Sequence, residues 1–150
     1  MGNIIRSPLA ENLFRHLADQ AGLDGKFEVD SAGTGGWHAG ESPDARMRRT
    51  AARHGLIYDG SARQVRLSDF DRFDLIVAMD SDNRRELAVV ARSPEHRKKI
   101  HLLRDFDPAS TPNASVPDPY YGGDEDFEET YRVIESGVAG LLKSLQARRA

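Results

Sequence analysis

The run Asp74–Asp80, DLIVAMD, constrains the fold more than any other stretch of the chain. Its apolar residues follow one another between charges without alternation, so a strand built from them has no polar face to turn to water. Such a strand must be covered on both sides, as in a parallel sheet packed between helices. The rest of the chain supplies helical patterns at the right places. Ser7-Pro8 reads as N-cap and first helical position. The stripe of Leu9, Ala10, Leu13, Phe14, Leu17 and Ala21 then predicts a helix over about 8–21, stopped at Gly22.

Phe27 and Val29 alternate with charged neighbours, which predicts a short strand over about 26–31. Ser42-Pro43 repeats the cap-and-proline signal, and Gly55 after Arg53-His54 supplies a stop, so a second helix is expected over about 43–54. Ser81 can cap a helix through Ala91, and KIHLLRDF predicts a strand near 99–103. The four prolines and two glycines between Asp105 and Gly123 predict a long loop. Phe127, Tyr131, Ile134, Val138, Leu141 and Leu145 step at helical spacing behind three acidic residues, predicting a last helix over 124–147. Strands alternating with helices make this a doubly wound α/β chain, and its 150 residues suit one domain.

Composition removes several kinds of function. A formal charge of -3 provides no field for nucleic acid or an anionic membrane, so an anion bound here must be gripped locally. No apolar run approaches the roughly 18 residues needed to span a bilayer, which reads as a cytoplasmic protein without membrane partners. There is no cysteine, which removes disulfides, thiolate metal sites and thiol chemistry from the chain as written.

The opening GNIIRSPLAE is a glycine-containing loop entering a helix, where backbone N–H groups and the helix dipole favour an anion. Arg6 adds a planar fork for two phosphate oxygens. The Gly-Lys-Ser/Thr ending of a Walker loop is absent, which argues against a P-loop NTPase.

Taken together, GNIIRSPLAE, VDSAGT, RHGL, FDLIVAMD and DPYYGG, in this order and spacing, resemble the low-molecular-weight protein tyrosine phosphatase family over essentially the whole chain. The family signature is Cys, five residues, Arg, Ser. Counted back from Arg6, the cysteine falls immediately ahead of Met1, and with it the first strand, which in the family is central in a four-stranded parallel sheet flanked by helices on both faces. The resemblance thus implies a single domain over 1–150 that is N-terminally incomplete.

The resemblance also implies a mechanism and its residues. A cysteine thiolate would attack the phosphorus of a phosphotyrosine protein or small aryl phosphate, cradled by Gly2, Asn3, Ile4, Ile5, Arg6 and Ser7. Arg6 would grip the equatorial oxygens. Asp118 in DPYYGG would act as general acid and then base. Asn3, Ser31 and His54 would brace the loop, although the helix dipole alone favours a histidine at position 54. Trp37, Tyr120 and Tyr121 would wall the cleft, and Asp80 would contact the following helix. Neither metal nor cofactor is implied. The chain as written is expected to be inactive without the cysteine, which leaves a phosphate- or phosphotyrosine-binding module as the alternative reading. Thioredoxin-coupled arsenate reductase shares the fold but needs further cysteines that are absent. Many family members carry a second cysteine just before the loop arginine; Ile5 stands there, which excludes a protective disulfide at that place.

Overall fold

The computed structural model describes residues 4–36 and 38–149. In chain order it contains α1 (Arg6–Gln20), α2 (Ala45–Arg53), α3 (Asp69–Arg72), β1 (Ile76–Ala78), α4 (Ser81–Val90), α5 (Pro94–Arg97), β2 (Ile100–Leu102), a 3-10 turn (Leu103–Phe106) and α6 (Asp124–Arg149).

DLIVAMD behaves as its composition requires. β1 pairs parallel with β2, Ile76 opposite Ile100 and Ala78 opposite Leu102. Ile76 and Ala78 pack into one apolar cluster with Phe70 and Leu87, while Leu75, Val77 and Met79 pack into another with α1 and α6. Both faces are therefore covered, with α3 and α4 on one side and α1, α2 and α6 on the other. The larger cluster rests on the α6 stripe, in which Phe127, Tyr131, Ile134 and Val138 are almost wholly buried. Each such side chain contributes about 1.5–3 kcal/mol.

Several local expectations are corrected. Among the described residues the sheet has two strands, β1 and β2. The segment 26–31 forms no strand, because no ladder hydrogen bond joins it to a neighbour; only an isolated parallel bridge, Gly33 with Gln64, follows it. α1 starts at Arg6 with Ile5 as its N-cap residue, so Ser7 is already helical and does not cap. Pro8 is tolerated there because first-turn N–H groups have no intrahelical acceptor. α2 starts at Ala45, capped by the Asp44 carboxylate on the Arg46 N–H at 2.8 Å, rather than by Ser42. α4 is capped by Asp80, which accepts from the Asn83 N–H at 2.7 Å, rather than by Ser81. The short helices α3 and α5 were not anticipated; α5 follows a Ser93-Pro94 cap. Gly55 does end α2 as expected, with a φ of 87°.

α6 crosses the 3-10 turn so closely that a Cβ at Gly140 would lie 1.9 Å from the Phe106 carbonyl oxygen, and one at Gly137 would lie 2.7 Å from Leu103 Cγ. Backbone cannot yield to that overlap as a side-chain tip could. Away from this contact, Arg63 clasps Asp69 with both Nη atoms, at 2.9 and 3.1 Å, and reaches Asp30 through Nε at 3.2 Å. Burial pushes the Asp69 carboxyl up, but the hydrogen bonds from Arg63 and the Arg66 N–H, with both positive charges, outweigh it and hold the group below its ordinary 3.8.

Gly140→Ala should therefore cost about 1–3 kcal/mol, read as a lower midpoint in urea or thermal unfolding; an unchanged midpoint would contradict the close crossing. A carboxyl whose folded pKa is depressed contributes stability above its unfolded pKa and loses it as pH falls through the folded value. Stability should accordingly drop below about pH 3.8, and Asp69→Asn should lower stability at neutral pH while flattening that acid slope, measured by unfolding between pH 2 and 7 at roughly one-unit steps.

Candidate active site

The site lies where β1 runs out, at the carboxyl edge of the sheet, the usual ligand position in open α/β folds. Arg6 in the first turn of α1 is 5% exposed, yet its guanidinium is paired. Nη1 lies 2.8 Å from Asp80 Oδ2 and donates to the Val116 carbonyl at 2.8 Å, while Nη2 stands 3.9 Å from Asp118 Oδ2. Asp80 divides its two oxygens, Oδ1 capping α4 and Oδ2 holding Arg6. A buried cation is tolerated only when paired and hydrogen-bonded in this way.

Asp118 reaches Arg6 on the long proline-rich loop. That loop is tied to β1 by the Val116 N–H on the Met79 carbonyl at 2.7 Å, and to α6 by the Thr130 hydroxyl on the Pro117 carbonyl at 3.2 Å. Arg104 Nη1 and the Ser81 N–H hold Ser115 from below, at 3.0 and 3.2 Å. Asp118 Oδ1 accepts from the Tyr120 N–H at 3.1 Å, which leaves Oδ2 facing the arginine. Tyr120 and Tyr121 meet edge to face with centroids 4.9 Å apart, and Tyr121 is 97% exposed.

Ile4, Ile5, Arg6, Ser7, Asp118, Tyr120 and Tyr121 thus line one concave region. It opens into a cavity of about 780 Å³ that continues between the coil 26–34 and the run 73–79. Ser31 lines the same cavity and donates its hydroxyl to Glu11 Oε1 at 2.6 Å. His54 is engaged with α6, its Nε2 2.5 Å from Glu128 Oε1 and its ring stacked on Tyr131 at 4.2 Å. Gly2, Asn3 and Trp37 lie outside the described residues. Among the described residues no cluster of three or more histidine, aspartate or glutamate side chains could hold a metal ion, and no helix is long and apolar enough to cross a membrane.

Sequence reasoning gave Asp80 only its contact with α4 and missed its hold on Arg6. Its place directly after the best strand in the chain was the available signal. The Val116 carbonyl carried no signal at all, since backbone acceptors have no letter in the sequence.

The 150 residues match, from 1 to 150, the family model of low molecular weight phosphotyrosine protein phosphatases. A low molecular weight protein-tyrosine-phosphatase of Streptomyces coelicolor is 46% identical over 146 residues, covering 97% of this chain and 89% of the relative. The Bacillus subtilis protein-tyrosine-phosphatase YfkJ is 43% identical over 153 residues, covering 99% and 94%. Among solved structures, a protein tyrosine phosphatase from Entamoeba histolytica with Hepes in its active site superposes with a TM-score of 0.93 at 36% identity, covering 100% of this chain and 95% of that one. The crystal structure of YfkJ superposes with a TM-score of 0.91 at 42% identity, covering 100% and 92%. On these matches the chain belongs to the low-molecular-weight protein-tyrosine-phosphatase family.

Proposed function

We propose that these residues form the phosphate-gripping and acid-donating part of a protein-tyrosine phosphatase, whose nucleophile is a cysteine joined directly ahead of Met1. The observation that supports it best is the buried guanidinium of Arg6 with the Asp118 carboxylate 3.9 Å away, at the mouth of a concave site. In this reading the thiolate attacks phosphorus in line, the P–O bond to the phenol breaks, and Asp118 gives its proton to the departing oxygen. The Asp118 carboxylate then takes a proton from water as that water's oxygen attacks phosphorus. The S–P bond breaks, and thiolate and inorganic phosphate leave.

Arg6 matches the growing equatorial charge with two N–H donors, in company with the backbone N–H groups of residues 2 to 6. Ser7 steadies the thiolate, aided by the dipole of α1. Tyr120 and Tyr121, with Trp37, present flat walls to a phenyl ring. Asn3 and Ser31 brace the loop; the Ser31 hydroxyl on Glu11 supports that side. His54 completes the brace in the family pattern, although its described contacts are with α6.

The place for a strand ending in that cysteine is supported by the cavity beside β1, whose walls include Phe14, Phe27, Val29, Val77 and Leu141. Among the described residues no backbone hydrogen bond joins 26–32 to β1, and filling the gap would turn the two-stranded sheet into the four-stranded one of the family. The reading makes 1–150 part of one domain, working where thiols stay reduced, as in the cytoplasm, on phosphotyrosine proteins or small aryl phosphates. The balanced charge of -3 favours no nucleic-acid partner. Because the chain has no cysteine, phosphate capture without turnover is the reading for these residues on their own.

Extending the chain ahead of Met1 by an apolar, β-branched segment ending in cysteine should raise the unfolding temperature and create hydrolysis of an aryl phosphate. Cys→Ser in the extension should abolish that turnover, and the 150 residues alone should show only background. A stabilised, phosphate-binding extended protein without turnover would instead establish a binding module. In the active form, Asp118→Asn should slow release of a poor leaving group such as phenol about 10²–10⁴-fold and an activated nitrophenol far less; equal losses would refute the acid role.

A further inference from the structure

Arg46 lies outside the phosphate loop, and neither the motif nor the proposed mechanism uses it. Its guanidinium is nonetheless held on every side. Nε and Nη2 bind the two oxygens of Asp44 at 3.2 and 2.9 Å, and Nη1 donates to the Tyr120 carbonyl at 2.9 Å. The plane lies over the Phe127 ring at 4.7 Å from its centroid and beside the Tyr120 ring at 5.4 Å. A surface arginine with a single carboxylate is usually mobile and contributes little; one held by a fork, a carbonyl and two rings is pre-organised.

What Arg46 connects gives it a role. On one side, the Asp44 N–H donates to the carbonyl of Ile4, within the proposed phosphate loop, at 2.7 Å. On the other, Tyr120 is bonded through its carbonyl to Arg46 and through its N–H to Asp118 Oδ1. The carboxyl is thereby turned so that its second oxygen faces Arg6. Pro119 is buried and the Pro117 carbonyl accepts from Thr130, which fix the loop backbone, but the Asp118 side chain is itself exposed and the Tyr120 N–H holds its Oδ1. Burial pushes the Asp44 carboxyl up, but its bonds and charge contact with Arg46 prevail and hold it below its ordinary 3.8, so the pair remains ionised above that value.

We infer that Arg46 is a positioning residue for the proton-transfer step: by locking Tyr120 it aims the Asp118 carboxyl, and through Asp44 it holds the acid loop in register with the phosphate loop. The inference rests on the phosphatase reading for its chemistry. Its geometry stands on the chain itself. A role confined to fastening α2 on α6 would affect stability and all substrates alike.

In the 150-residue chain, Arg46→Ala should speed hydrogen exchange of the Tyr120 amide about tenfold or more while the α6 amides keep their protection; unchanged Tyr120 protection overturns the inference. In the cysteine-bearing extended protein, Arg46→Ala should lower kcat for phenyl phosphate roughly tenfold and for a nitrophenyl phosphate less than about twofold, with KM little changed. Combined with Asp118→Asn, it should cost nothing further, because both changes remove one step. Arg46→Lys, which keeps charge but not the fork, should be intermediate and guards against a loss due to misfolding. Equal loss on both substrates, or a full multiplicative loss in the double variant, overturns the inference. If Asp118→Asn is selective and Arg46→Ala is not, only the Arg46 role falls; if Asp118→Asn is not selective, the acid assignment itself falls.

Discussion

The hold of Asp80 on Arg6 is the interaction on which the rest of the site depends. A guanidinium 5% exposed needs a counter-charge and acceptors, and here Asp80 at the end of β1 and the Val116 carbonyl of the returning loop supply them to Nη1. Because Asp80 also caps α4, the same carboxylate registers the first turns of α1 and α4 against the sheet. The loop bearing Asp118 is then brought in by the Val116 carbonyl, the third group to meet at Arg6. Cation, helix terminus and returning loop are thus assembled around one charge.

The parts of this arrangement governed by local pattern were legible in the sequence. The apolar run of β1, the stripe of α6 and the stop at Gly55 each follow from burial periodicity or backbone conformation within a few residues. The starts of α1, α2 and α4 were misplaced by one or two residues; at the latter two a neighbouring aspartate caps in place of the serine, Asp44 over Ser42 and Asp80 over Ser81. The segment 26–31 has strand composition, but a strand exists only when a partner supplies its ladder, and no alternation of residues can specify that.

At the site, motif and spacing pointed to Arg6 and Asp118, which the structure places 3.9 Å apart. They could not identify Arg46, whose carbonyl partner lies 74 residues away. Nor could they foresee the Glu128 and Tyr131 contacts of His54, because a histidine before a helix-ending glycine is accounted for by the dipole alone. Long-range pairings between a side chain and a backbone carbonyl leave no trace in composition. They have to be seen.

The glycine contact of α6 reaches further than packing. Successive residues of a helix are set about 100° apart around its axis, so a helix pressed against the Phe106 backbone at Gly140 and the Leu103 side chain at Gly137 cannot rotate by such a step without overlap. The same helix carries Phe127 at its other end, under the Arg46 guanidinium. A bare patch on the C-terminal half of α6 therefore sets the azimuth of an aromatic ring three turns away, and with it the seat of the Arg46 guanidinium.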